Sequence, residues 1–144
     1  MKIVIDADAC PVTRLAAAAA LARNTECILV CDTAHRIEID GCRTVTVDKG
    51  ADSVDYKVTE LVRAGDIAVT QDYGLAAMCL AKGCRAINQN GLVYTDNNID
   101  NLLYSRFIGK EIRLAGGRTP GPKKRTKQQD AAFERAFIEL IETT

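Results

Sequence analysis

Short runs of β-branched and apolar residues alternate with helix-like segments along this chain, and four of the runs stop at an aspartate. The runs are 2–6, 26–31, 43–47, 66–71 and 84–88, and Asp6, Asp32, Asp48 and Asp72 follow or close the first four. Between them lie an Ala-rich stretch at 11–23, a stretch with Val54, Val58, Leu61 and Val62 at helical spacing, and Leu75 to Lys82. Apolar β-formers bounded by turn residues read as buried strands, and 3-4 apolar spacing reads as amphipathic helix. Strands that alternate with helices make a parallel sheet with right-handed crossovers the natural architecture. The expected class is therefore α/β, with a mainly parallel sheet of about five strands.

The rest of the chain fits around that unit. Residues 33–42 read as irregular, with a short extended piece at Ile37-Glu38-Ile39, and 89–97 as a turn-rich connection. A helix is expected over Asn98–Ala115, and a last amphipathic one over Asp130–Glu142, inside a C-terminal segment 128–144. Residues 116–127 form a Gly/Pro/basic loop between them. At 144 residues, a single domain spanning 1–144 is expected.

Formal net charge is zero, but it is unevenly spread. Residues 1–105 hold 10 Lys/Arg against 14 Asp/Glu, and residues 106–144 hold 9 against 5. An acidic body joined to a basic C-terminal part can draw a phosphate polymer toward a metal site. The six cysteines (10, 27, 31, 42, 79 and 84) form no CxxC pair and sit mostly in or beside apolar runs, like small buried hydrophobes. With one histidine, His35, a zinc set is not expected. The first apolar run is cut at Asp6, so no secretory leader is expected, and a reduced cytoplasmic setting fits.

The chemistry concentrates in carboxylates. Side chains at the C-terminal ends of parallel strands share one edge of the sheet, where α/β proteins bind ligands. Asp6 and Asp8 come directly off the first strand, ahead of Cys10 and Pro11; Asp72 ends the fourth; Asp52 and Asp55 open the helix before it. Asp66 begins its strand and belongs at the opposite edge. Capping alone accounts for Asp72 or Asp52 taken singly, and turn chemistry for Asp32 and Asp48. A DxD immediately after a buried strand is harder to explain that way. Two carboxylates about 4 Å apart repel by ~4 kcal/mol at an effective dielectric near 20, so a cluster must take up protons or a cation. Hard oxygen donors select Mg²⁺ or Mn²⁺, ions that orient a phosphodiester and activate water. Cys10 is read as a structural thiol, because the charges of Asp6 and Asp8 would raise its pKa rather than activate it.

Several motifs together resemble the YaiI/YqxD family of small bacterial proteins, placed within the PIN-like nuclease superfold. They are Asp6-Ala-Asp-Ala-Cys-Pro11, Asp52-Ser-Val-Asp55, Gly65-Asp66-Ile-Ala-Val-Thr70-Gln-Asp72 with Leu75-Ala76, Asn88-x-x-Gly91-x-x-Tyr94-Thr95, Asn98-Ile99, and Gly116-Gly117-Arg118-Thr119-Pro120-Gly121-Pro122. In order, they cover nearly the whole chain. Asp32 stands where the family pattern has Asn after the second strand, and Pro120-Gly121 where a Gly-Gly pair is usual. The resemblance implies a PIN-like, three-layer α/β/α sandwich. It implies that Asp6, Asp55 and Asp72 match the metal-binding acids of PIN nucleases, with Thr70 two residues before the last. Asp8 and Asp52 belong to the narrower family pattern. The early-helix Glu of active PIN nucleases has no counterpart here.

The resulting expectation is a nuclease in which Asp6, Asp8, Asp55 and Asp72, supported by Asp52, hold one or two Mg²⁺ or Mn²⁺ ions and cleave RNA phosphodiesters. Arg118, Lys123, Lys124, Arg125 and Lys127 of the basic loop would grip the strand. Two other readings share these residues. One is a nucleic-acid-binding or regulatory module that keeps the site without catalysis. The other is a haloacid-dehalogenase-type phosphatase with Asp6 as nucleophile and Asp8 as acid/base, although a Lys motif and a late strand ending in paired Asp are missing.

Overall fold

A computed structural model describes residues 1–50, 52–119 and 123–143. Its elements run β1 (Lys2–Asp6), α1 (Thr13–Ala22), β2 (Glu26–Asp32), β3 (Arg43–Val47), α2 (Ser53–Leu61), β4 (Ile67–Val69), α3 (Tyr73–Ala81), β5 (Arg85–Ile87), β6 (Val93–Tyr94), α4 (Asp96–Leu114) and α5 (Lys127–Glu142). One six-stranded sheet takes the order β3-β2-β1-β4-β5-β6. The first five strands are parallel and β6 is antiparallel to β5. The α/β class and the parallel five-strand body match the sequence reading. The sixth strand does not: it lies inside the 89–97 connection and is two residues long, too short to show a period.

Alternation along the strands divides the core between two faces. Ile3, Ile5, Leu29, Ile67, Val69 and Ile87 face α1 and α5, meeting Ala16, Ala17, Ala20, Phe133, Phe137 and Ile141. Val4, Ile28, Val30, Ala68 and Ala86 face the other way, onto Val54 and Val58 of α2, Leu75, Ala76 and Cys79 of α3, and Ile99 of α4. The result is a three-layer α/β/α sandwich. The Ala-rich face of α1 lets that helix sit close on the sheet, and the Phe133–Phe137 stack of α5 fills the space beside it (ring centroids 5.1 Å apart). The 33–42 connection contains no strand; its Ile37 and Ile39 pack against the edge of the α1/α5 core.

Two helices begin earlier than expected because of reciprocal caps. Thr95 Oγ1 accepts from Asn98 N (3.2 Å) while Asn98 Oδ1 accepts from Thr95 N (2.9 Å), which starts α4 at Asp96. Thr126 and Gln129 do the same for α5, at 3.2 and 2.9 Å, and move its start back to Lys127. Of the 116–127 loop, Pro120, Gly121 and Pro122 lie outside the described residues.

The turn between β5 and β6 is fixed from inside. Asn88 Oδ1 accepts from Asn90 N and Leu92 N, and Gly91 takes φ +87° against α5. A Cβ on Gly91 would stand 2.7 Å from the Ala132 carbonyl oxygen. Gly91→Ala is therefore expected to lose at least about 2 kcal/mol of stability, from left-handed strain and the clash with α5 backbone. Urea unfolding measures this; an unchanged midpoint would refute the packing described.

Candidate metal centre

The strand order reverses direction between β1 and β4. From β1 the chain winds outward to β2 and β3, and then returns through α2 to start β4 on the other side of β1. In open α/β sheets this switch point leaves a crevice beyond the carboxyl ends of the two central strands. Here it opens into a cleft of about 580 Å³, lined by Asp6 at the end of β1 and Asp8 just after it, Asp52 and Asp55 at the start of α2, and Gln71, Asp72 and Tyr73 after β4. Arg106 reaches in from α4. All five aspartates expected from the sequence line this cleft.

Thr70 ties the two central strand ends together. It is 2% exposed, its Oγ1 donates to Asp6 Oδ2 (2.8 Å), and the same oxygen accepts from Asp72 N (3.0 Å). Its carbonyl accepts from the buried Tyr94 hydroxyl (3.0 Å), so β6 holds the site from behind. Asp72 Oδ1 accepts from Gly74 N (2.8 Å) and Leu75 N (3.1 Å), and so caps α3 as expected, while Arg106 Nη1 lies 3.4 Å from the same oxygen. Asp52 is different. It precedes α2 at φ +66°, and its side chain makes no capping hydrogen bond. Ala9, between Asp8 and Cys10, has φ +56°. Left-handed backbone at non-glycine residues costs about 1–3 kcal/mol and concentrates at working sites. Gln71 Nε2 steadies the strained β1 exit by donating to the Ala9 carbonyl (3.2 Å).

Asp8 also belongs to a second group. Its Oδ1 accepts from Asp32 N (3.1 Å), and Asp8, Asp32 and His35 bring ligand atoms within 4.8 Å of one another. Asp32 does make the expected turn, accepting from Ala34 N (2.8 Å) and His35 N (3.0 Å). His35 Nδ1 sits 2.9 Å from Asp32 Oδ1 and 3.9 Å from Asp8 Oδ1, and the imidazole lowers the Asp32 pKa. Asp66 lies at the far end of the sheet, bonded to Lys2 N (3.0 Å), Lys2 Nζ (2.6 Å) and Arg63 N (2.8 Å).

The electrostatics of the cleft follow from burial and crowding. Desolvation pushes the Asp6 pKa up to about 6 against the pull of the Thr70 hydrogen bond, and the charges of Asp55, Asp8 and Asp72 add to the rise. Asp55 is also raised to about 6, chiefly by burial and then by Asp72 and Asp52, with Arg106 opposing. Burial raises the Cys10 thiol, in keeping with a structural role.

The basic loop divides. Arg118, Lys123, Lys124 and Lys127 are exposed. Arg125 is half-buried, with its guanidinium bonded to Asp130 Oδ1 (2.6 Å), Asn90 Oδ1 (2.8 Å) and the Gln89 carbonyl (2.5 Å). It clamps α5 to the β5–β6 turn. Arg106, a cation that does reach the cleft, has no sequence signal, because it lies 34 residues beyond Asp72 and only the fold brings them together.

The molecule is thus an α/β/α sandwich whose switch point carries a cleft of aspartates. By sequence, residues 4–143 match the model of the family described as "Uncharacterized BCR, YaiI/YqxD family", and the chain belongs to that family. It is 55% identical over 141 residues to a UPF0178 protein of Exiguobacterium sibiricum, covering 98% of this chain and 96% of that one. A UPF0178 protein of Ruminiclostridium cellulolyticum is 51% identical over 142 residues, covering 98% and 92%. One from Clostridium kluyveri is 45% identical over 141 residues, covering 98% and 93%. No solved structure matches the chain. No helix among the described residues is long and apolar enough to cross a membrane.

A carboxyl whose pKa rises from 3.8 to about 6 on folding contributes stability that is full below 3.8 and lost as pH climbs through 6. Metal-free Asp6→Asn is therefore expected to melt higher than the wild type at pH 7.5, by a margin that narrows at pH 5. Calorimetric melting at the two pH values checks the sign; a variant that melts lower at pH 7.5 would contradict it.

Proposed function

We propose that this protein is a divalent-metal-dependent nuclease that cleaves RNA phosphodiesters at the aspartate cleft. One observation carries the reading: five carboxylates from three separate elements line a single cleft, and burial and mutual repulsion hold two of them near pKa 6. Such a donor set fits a hard dication, which relieves the repulsion that protons otherwise relieve. Asp6, Asp8, Asp55 and Asp72 are the residues that would hold Mg²⁺ or Mn²⁺, with Asp52 supporting. Bound there, the ion lowers the pKa of water and offsets charge on a phosphoryl oxygen. Thr70 fixes the orientation of the Asp6 carboxylate and, through the Asp72 amide, the spacing of the two strand ends. Arg106 offers a guanidinium to a phosphate entering beside Asp72. The resemblance of Asp6, Asp55 and Asp72 to the acids of PIN nucleases supports the same assignment. The described lining residues include no Lys, which weighs against a dehalogenase-type phosphatase.

Mn²⁺ titration by calorimetry tests this directly. Wild type is expected to bind, and Asp6→Asn and Asp72→Asn to weaken binding by more than the roughly 10- to 100-fold that losing a supporting partner costs. Bound Mn²⁺ should raise the melting temperature more at pH 7.5 than at pH 5, because protons compete for Asp6 and Asp55. Absence of binding in the wild type removes the metal, and full RNA cleavage by purified Asp6→Asn removes the nuclease. Salt-sensitive RNA binding without Mn²⁺-dependent cleavage would instead mark a binding module.

A further inference from the structure

Beside the aspartate cleft lies a second cavity of about 320 Å³, different in character. The two share Asp52, Asp55, Asp72 and Arg106 as a common wall. Beyond that wall the lining changes to Tyr56, Gly74, Leu75 and Met78. Tyr56 lies in the first turn of α2, just after Asp52, and is 72% exposed. Met78 stands four residues after Gly74 on α3, and is 41% exposed. Leu75 is fully buried beneath them. Gly74 leaves room where a side chain would crowd Asp72 Oδ1, 3.2 Å from an added Cβ.

This places a flat aromatic ring, a polarisable thioether and an apolar floor directly across a guanidinium from the acidic cleft. A ligand that satisfies both sides carries a phosphate and, one short linker away, a planar apolar group. We propose that this second cavity receives the base of the nucleotide whose phosphate occupies the aspartate cleft, with Tyr56 and Met78 as its walls and Arg106 beneath the phosphate between them. The proposal rests on the reading of the cleft as a phosphodiester site and adds a requirement to it. A base reaches the Tyr56 ring only when it is unpaired, so a strand held in a duplex at that nucleotide is excluded.

The test is calorimetric affinity, in the presence of Mn²⁺, for adenosine monophosphate against ribose 5-phosphate, which carries the same phosphate without a base. Because of base stacking, the nucleotide is expected to bind about tenfold tighter. Tyr56→Ala and Met78→Ala should each reduce that advantage while leaving ribose 5-phosphate affinity and Mn²⁺ affinity in place, and Tyr56→Phe should retain it. Equal affinities in the wild type, no binding of the nucleotide, or an advantage that survives both alanine variants would overturn the subsite. Cleavage is not part of this measurement. A protein that cleaves RNA yet treats the two ligands alike loses only the subsite; one that prefers the nucleotide yet cleaves nothing loses only the nuclease.

Discussion

The pairing of β1 with β4 at the centre of the sheet is the constraint on which the rest depends. Ile3 aligns with Ile67, Val4 with Ala68 and Ile5 with Val69, all essentially inaccessible to water. Both strands are interior to the sheet, with β2 on the other edge of β1 and β5 on the other edge of β4. Register matters at this pair more than elsewhere. A one-residue slip would exchange the residues facing α1 and α5 for those facing α2 and α3, and would carry Thr70 away from Asp6. The same apolar contacts that make the core therefore also set the geometry of the cleft.

The cleft works against that stability. Its carboxylates are drawn partly out of water and close to one another, and Ala9 and Asp52 hold left-handed backbone beside them. Tyr94 and Gln71 offset the cost locally, one holding the Thr70 carbonyl from behind and the other the Ala9 carbonyl from the side. Tyr94 sits 2% exposed, so the short antiparallel strand that carries it is a support for the site as well as an edge to the sheet.

Much of this was legible in the sequence, for reasons that can be named. The parallel strands announce themselves by β-branched runs of buried character, and the position of Asp6, Asp8, Asp52, Asp55 and Asp72 at one edge follows from chain direction alone. Asp66 was separable by the same logic, since it starts a strand instead of ending one. What could not be read was what depends on distance in the chain. Arg106 and Tyr94 reach the site across long sequence separations, and no local period marks either. The Asp8, Asp32 and His35 group was hidden similarly, because the 33–42 segment has no regular structure to reason from. The starts of α4 and α5 are another matter. Thr95 with Asn98, and Thr126 with Gln129, are capping pairs at the usual three-residue spacing, and they set both boundaries earlier than apolar periodicity suggests.

Thr70 has a consequence that reaches beyond its hydrogen bonds. A hydroxyl has one proton, and here it is committed to Asp6, which leaves its lone pairs for the Asp72 amide. A serine carries the same oxygen, but on a rotor with three open wells. The extra methyl of threonine restricts rotation about χ1, and burial at 2% exposure removes the room in which it could turn. The separation of the two strand ends is thereby fixed by covalent shape, at an entropic cost met during folding, and does not have to be re-established whenever the charge in the cleft changes.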